Sequence, residues 1–203
     1  MYKHYIWDFD GTLFDTYPVI LKGFVDALTT FGITAEPKDV YYILKSSSSK
    51  HLATNYQLDF EELTKVFKQF EEKDGRQPKP FEGTKEILEW VIAQHGTNYI
   101  LTHRDQVGTK ELLVTEQLSD LFTEIVGSES PFPRKPAPDS LMYLMDRYQM
   151  DPKETVMIGD RTMDVEAGRA AGIQTIFFDE DQVLNDVPAT HLVNHLLKIK
   201  ECE

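Results

Sequence analysis

The stretch "IWDFDGTLFDT" (residues 6–16) places three aspartates within eight positions, behind an apolar run and around a single glycine. Carboxylates crowded in this way repel one another and hold protons they would otherwise lose. The lead-in, "HYIWDFD" (4–10), is too apolar for a strand wetted on one face. Four later runs share its character: "NYILTH" (98–103), "TEIVGS" (123–128), "TVMIGD" (155–160) and "TIFFDE" (175–180). Each is rich in Ile, Val, Phe or Tyr and ends in a small or polar residue. Strands buried on both faces have this composition, which predicts a parallel sheet covered by helices.

Helical patterns separate the runs. "GTKEILEWVIAQHG" (83–96) repeats Ile87, Leu88, Val91 and Ile92 at three-to-four spacing and stops at Gly96. "APDSLMYLMDRYQ" (137–149) carries Pro138 in a first-turn position, and "DVEAGRAAG" (164–172) is a small-residue helix able to pack closely on a sheet. Alternating strand and helix define a doubly wound, Rossmann-like α/β core. One region breaks the alternation. Between Thr16 and Lys79 the patterns are helical throughout, and they end in the proline- and glycine-bearing connector "GRQPKPFEG" (75–83). The expected organisation is an α/β core over 1–15 and 81–203 with a small all-helical domain inserted over 16–80.

At 203 residues, 41% hydrophobic and 27% charged, the chain has ordinary globular composition. Its net charge of −13 and the absence of a basic stripe argue against nucleic acid as a partner. That charge also repels anionic ligands, so a phosphate site would have to build its own positive field. The one cysteine, Cys202, is read as a frayed-tail residue rather than a nucleophile. The amino-terminal residues are too few and too polar for a signal peptide, and no apolar stretch approaches the roughly 20 residues that span a bilayer. A soluble cytoplasmic protein, monomeric or homodimeric, is expected.

Ligands of open parallel sheets bind beyond the carboxyl ends of the strands. Asp8 and Asp10, Thr102, Lys135 (in a loop), and Asp160 with Asp164 all belong to that edge. Four converging acids call for a hard divalent cation, and Mg2+ suits few carboxylates and phosphate oxygens best. Singly, each residue has an ordinary explanation; Asp15 or Thr16, ahead of Pro18, is read as a helix cap.

Taken in order, "DFDGTLFDT" (8–16), the run ending at Thr102, "KPAP" (135–138) and "GDRTMDVEAGRAAG" (159–172) resemble the haloacid dehalogenase-like hydrolase superfamily. The resemblance spans essentially the whole chain, and the helical insert resembles that superfamily's small cap of the phosphoglycolate phosphatase kind. It implies Asp8 as nucleophile, forming an aspartyl-phosphate, and Asp10 as general acid and then general base. It further implies Thr102 and Lys135 as holders of the phosphoryl oxygens, and Mg2+ on Asp8, Asp160 and the Asp10 main-chain carbonyl, with Asp164 supporting the metal or orienting Lys135. Physically, an anionic nucleophile meeting an anionic phosphate needs such neutralisation. Gly11 allows a sharp turn that brings N–H groups to the phosphate.

Departures from the superfamily's branches narrow the activity. Dehalogenases and phosphonatases lack an acid at the Asp10 position. "LKSSSSK" (44–50) echoes the substrate loop of β-phosphoglucomutase-like members, but Ile20 stands where those mutases have a histidine and Ser49 where they have an arginine. The expected activity is hydrolysis of a small-metabolite phosphomonoester: phosphoglycolate, a sugar phosphate or a nucleotide. A mutase and a non-catalytic ligand sensor are the alternatives. Lys45, Ser49, Lys50 and His51 are candidates for substrate contact from the insert, the other reading of the serines being a mobile linker. Phe14, Tyr17 and Tyr41 either wall the entrance or belong to the core. His103 is a further substrate candidate, Arg104 is read as an exposed loop arginine, and His4, His95, His191 and His195 are structural.

Overall fold

The computed structural model describes residues 2–184 and 186–202. The chain divides into two compact units, Met1–Phe14 with Lys79–Glu203, and Asp15–Pro78.

In the first unit, β1 (His4–Trp7) runs down the middle of a six-stranded sheet. The other strands are β4 (Thr97–Leu101), β5 (Glu124–Val126), β6 (Thr155–Gly159), β7 (Gln174–Phe178) and β8 (His191–Val193), with β2 (Phe14–Asp15) and β3 (Lys79–Pro80) forming a short separate pair. The sheet order is β5-β4-β1-β6-β7-β8, and all neighbours are parallel. Connecting helices are α5 (Thr84–Ala93), α6 (Gln106–Thr115), α7 (Asp139–Arg147) and α8 (Thr162–Ala170). The order reverses between β4 and β6 on either side of β1, the topology that opens a crevice at the carboxyl edge.

Two apolar layers sandwich the sheet, and the strand period of two sorts the residues between them. Tyr5, Trp7, Ile100, Val156 and Ile158 enter one layer, whereas Ile6, Tyr99, Leu101 and Met157 enter the other. Each fully buried side chain of this size contributes about 1.5–3 kcal/mol. Phe14 is buried in the first layer and stacks on Phe9 at 4.5 Å, so it belongs to the core and not to an entrance. Cys202 also packs on this layer, which corrects the frayed-tail reading. Glycine lets α8 lie close: a Cβ on Gly168 would stand 2.5 Å from Thr175 Cγ2. The stop of α5 differs from expectation. His95, with φ +61°, takes the left-handed position, and Gly96 is small because a Cβ would meet Val91 Cγ1 at 2.9 Å.

The second unit contains α1 (Tyr17–Thr30), α2 (Pro37–Ser46), α3 (Ser49–Asn55) and α4 (Phe60–Lys73). They close on an apolar core that includes Phe24, Leu28, Val40, Leu52 and Leu63, with Tyr17 and Ile20 at its margin. Thr16 occupies the cap position of α1 but makes no side-chain capping bond. The serine run is ordered helix punctuation: Ser48 Oγ accepts from the His51 N–H at 3.1 Å and caps α3, and Ser49 begins the helix. No helix among the described residues is long and apolar enough to cross a membrane.

Candidate active site

The register brings the chemistry together. Trp7 is level with Ile100 on β4 and Ile158 on β6. Asp8, Thr102 and Asp160 therefore follow their strands at one edge, and the Asp8 N–H donates to Ile158 O at 2.8 Å. Asp8, Asp160 and Asp164 bring carboxylate oxygens within 4.8 Å of one another, all three residues being buried. Gly159 is what admits Asp164: a Cβ there would fall 2.3 Å from the Asp164 Cγ. Asp164 is further held by the Arg161 N–H, which donates to its Oδ2 at 3.0 Å, and Thr12 Oγ1 donates to Asp160 Oδ1 at 3.4 Å.

Lys135 enters this group from the loop before α7. Its Nζ stands 2.9 Å from Asp8 Oδ1 and 2.7 Å from Asp164 Oδ1, and it donates to Leu101 O at 3.0 Å. All three charged side chains are 1% exposed. Burial pushes the Asp8 carboxyl above the usual carboxylate range, a push that Lys135 opposes and Asp164 reinforces. Burial alone would lower the Lys135 ammonium, but Asp164 and Asp8 outweigh it and hold it raised. Burying like-charged carboxylates in this way is costly, and perturbed groups of this kind gather at functional sites.

The group fits a hard divalent cation. Both Asp8 oxygens and Asp164 Oδ1 are buried and, apart from the lysine ammonium, meet no hydrogen-bond donor among the described residues. Orphaned hard oxygen acceptors around one point are what Mg2+ takes up.

The remaining expected residues are placed as follows. Thr102 is buried, and its Oγ1 accepts from the Arg104 N–H at 3.1 Å. Gly11 has φ +76°, and its own N–H is spent inside the turn, donating to Phe14 O at 2.8 Å. His103 Nε2 is buried and has no hydrogen-bond partner among the described residues. Burial, then the charges of Lys135, Arg161 and Arg134, push its imidazole down to about 2, so it is neutral at ordinary pH. The Asp10 side chain stands outside the acid cluster, gripped by Arg104. Arg104 Nε donates to Oδ1 at 3.0 Å and Oδ2 at 3.2 Å, and Nη2 lies 2.9 Å from Oδ1. With its side chain 19% exposed, Arg104 is no solvated loop arginine. The only sequence signal for it was its place two residues after a strand-end threonine.

Lys45 and Ser49 lie in the helical unit. Lys45 is buried, with Nζ 5.8 Å from the Tyr17 ring centroid and 5.7 Å from that of Tyr41. Those two rings meet edge to face at 4.7 Å. Ser49 is half-buried, while Lys50 and His51 are exposed.

A doubly wound α/β sheet with a buried carboxylate–lysine centre at its carboxyl edge has the make-up of an enzyme active site. The family model of haloacid dehalogenase-like hydrolases matches residues 5–178, and the chain belongs to that family. It is 28% identical over 180 residues to a phosphoglycolate phosphatase of Aliivibrio fischeri, covering 82% of this chain and 79% of that one. A crystal structure of a hydrolase from Streptococcus pneumoniae TIGR4 is 34% identical, with TM-score 0.61, over 92% of this chain and 94% of that one. A haloacid dehalogenase-like family hydrolase from Streptococcus pneumoniae shares the fold at 20% identity, TM-score 0.83, over 98% of this chain and 97% of that one.

Proposed function

We propose that the protein is a Mg2+-dependent phosphatase that hydrolyses a small phosphomonoester through an aspartyl-phosphate on Asp8. The observation that carries this reading is the buried constellation of Asp8, Lys135, Asp164 and Asp160, in which a carboxylate, a cation and two further acids share one site. Its positive contributors, Lys135 with Arg161 and Arg134 nearby, give an anion somewhere to settle on a chain of net charge −13. The relatives' activity on phosphoglycolate favours a compact, anionic ester, ahead of a sugar phosphate or nucleotide.

In this account Asp8 attacks phosphorus while Lys135 and Thr102 hold the equatorial oxygens. The bond to the leaving oxygen breaks as Asp10 hands that oxygen a proton. Asp10 then takes a proton from water, the water oxygen attacks the phosphorus, and Asp8 is released. General acid–base help of this kind contributes about 10²–10⁴-fold. Mg2+, held by Asp8, Asp160 and the main-chain carbonyl of Asp10 with Asp164 supporting, would neutralise charge on the phosphoryl oxygens.

A panel of phosphate esters assayed for phosphate release with Mg2+ tests the reading. Release from at least one small ester is expected, lost in EDTA and restored by excess Mg2+. Turnover surviving in EDTA removes the metal from the mechanism, and isomerisation without phosphate release makes the enzyme a mutase.

A further inference from the structure

Arg104 has no part in the roles above, yet its pairing with Asp10 is closely built. Nε meets both carboxylate oxygens and Nη2 meets one, so the fork fixes the plane of the carboxylate as well as its place. Exposed arginine pairs contribute little, but here each side chain is about 20% exposed. Arg104 is itself anchored on both sides of its backbone: its N–H donates to Thr102 Oγ1 at 3.1 Å, and its carbonyl accepts from the Ser128 N–H at 3.0 Å. Gly127 permits that approach, since a Cβ there would stand 3.0 Å from Arg104 O. The guanidinium is thus mounted on the end of β4, next to the β1 edge that carries Asp10.

We propose that Arg104 is the positioning residue for Asp10, setting the carboxyl group from which the leaving oxygen receives its proton. This rests on the reading of Asp10 as proton donor. Each carboxylate oxygen has two lone pairs; Oδ1 meets both Nε and Nη2 and Oδ2 meets Nε alone, so the fork leaves Asp10 one lone pair, on Oδ2, for proton exchange. In the step concerned, the Asp8–phosphorus bond forms, the phosphorus–leaving-oxygen bond breaks, and the Asp10 proton passes to that oxygen.

The test compares kcat/KM of wild type, Asp10→Asn, Arg104→Met, Arg104→Lys and Asp10→Asn/Arg104→Met on an alkyl ester (phosphoglycolate) and on 2,4-dinitrophenyl phosphate, whose leaving group needs no proton. Misplacing a catalytic group by about 1 Å can lose about 10²-fold. Arg104→Met is expected to lose ~10–100-fold on the alkyl ester and less than ~3-fold on the aryl ester. Arg104→Lys should recover part of the alkyl loss, and the double variant should be no worse than Asp10→Asn alone. Equal losses on both esters, or additive losses in the double variant, would overturn the proposal and place Arg104 on the phosphoryl group. If Asp10→Asn itself shows no leaving-group preference, the Asp10 assignment fails instead. Should Arg104→Met not fold, the same ester ratio in Arg104→Lys decides.

Discussion

The two units treat charge in opposite ways. In the α/β unit, Asp8, Asp160, Asp164 and Lys135 are all buried at the carboxyl edge, where burial disfavours the charged form of Asp8 and the acids in turn hold the Lys135 ammonium charged. In the helical unit none of the described carboxylates is fully buried, as in the fork of Arg76 on Asp74, which holds that half-buried acid down to about 2. Among the described residues of that unit the buried charge is Lys45, resting over two tyrosine rings. The helical unit is held by ordinary apolar packing, whereas the α/β edge buries the Asp8 carboxyl at a cost to stability. Stability and activity should therefore respond oppositely to changes in the two regions.

The largest expected effect is Asp8→Asn, which should lower turnover at least ~10³-fold as loss of the nucleophile. The same change should stabilise the metal-free protein. A carboxyl group raised by burial binds more protons folded than unfolded between its unfolded value, about 3.9, and its raised value, so its contribution falls as pH rises through that window. The advantage of Asp8→Asn in thermal unfolding with EDTA should accordingly grow with pH. A loss of stability at neutral pH would break the comparison.

Leu63→Ala, in the core of the helical unit, should cost about 2–5 kcal/mol in denaturant unfolding, equally with and without EDTA. Gly159→Ala, which drives a methyl into Asp164, should cost about 1–3 kcal/mol and weaken Mg2+ response as well. If Gly159→Ala left the metal response intact, Asp164 would not belong to the ion's surroundings. The smallest effect is on slope. His103 is neutral when folded but protonates near 6.5 when unfolded, so stability should fall below that pH by up to about 1.4 kcal/mol per unit. His103→Gln should flatten the slope.

Much of the α/β edge was legible because its signals are local. An apolar run ending in an acid fixes both a strand and the place of that acid, and this held for Asp8 and Asp160. Asp179 ends its run in the same way but serves the loop, accepting from the Leu184 N–H at 2.8 Å, a distinction no local pattern carries. The edge strand β8 is three residues long and offers no period to read. Arg104 escaped because its meaning lies in a partner 94 positions away. In the helical unit the helices were legible from their spacing, but the burial of Lys45 against Tyr17 and Tyr41 depends on how α1 and α2 pack.

The central claim is that Asp8 is the atom donor to phosphorus. Rapid acid quench of the enzyme during turnover of a labelled ester with Mg2+, followed by peptide mass analysis, tests it directly. The account predicts label on the peptide that carries Asp8 within a single turnover, absent from Asp8→Asn. Stoichiometric phosphate release with no label on the protein, or label on another residue, would contradict it.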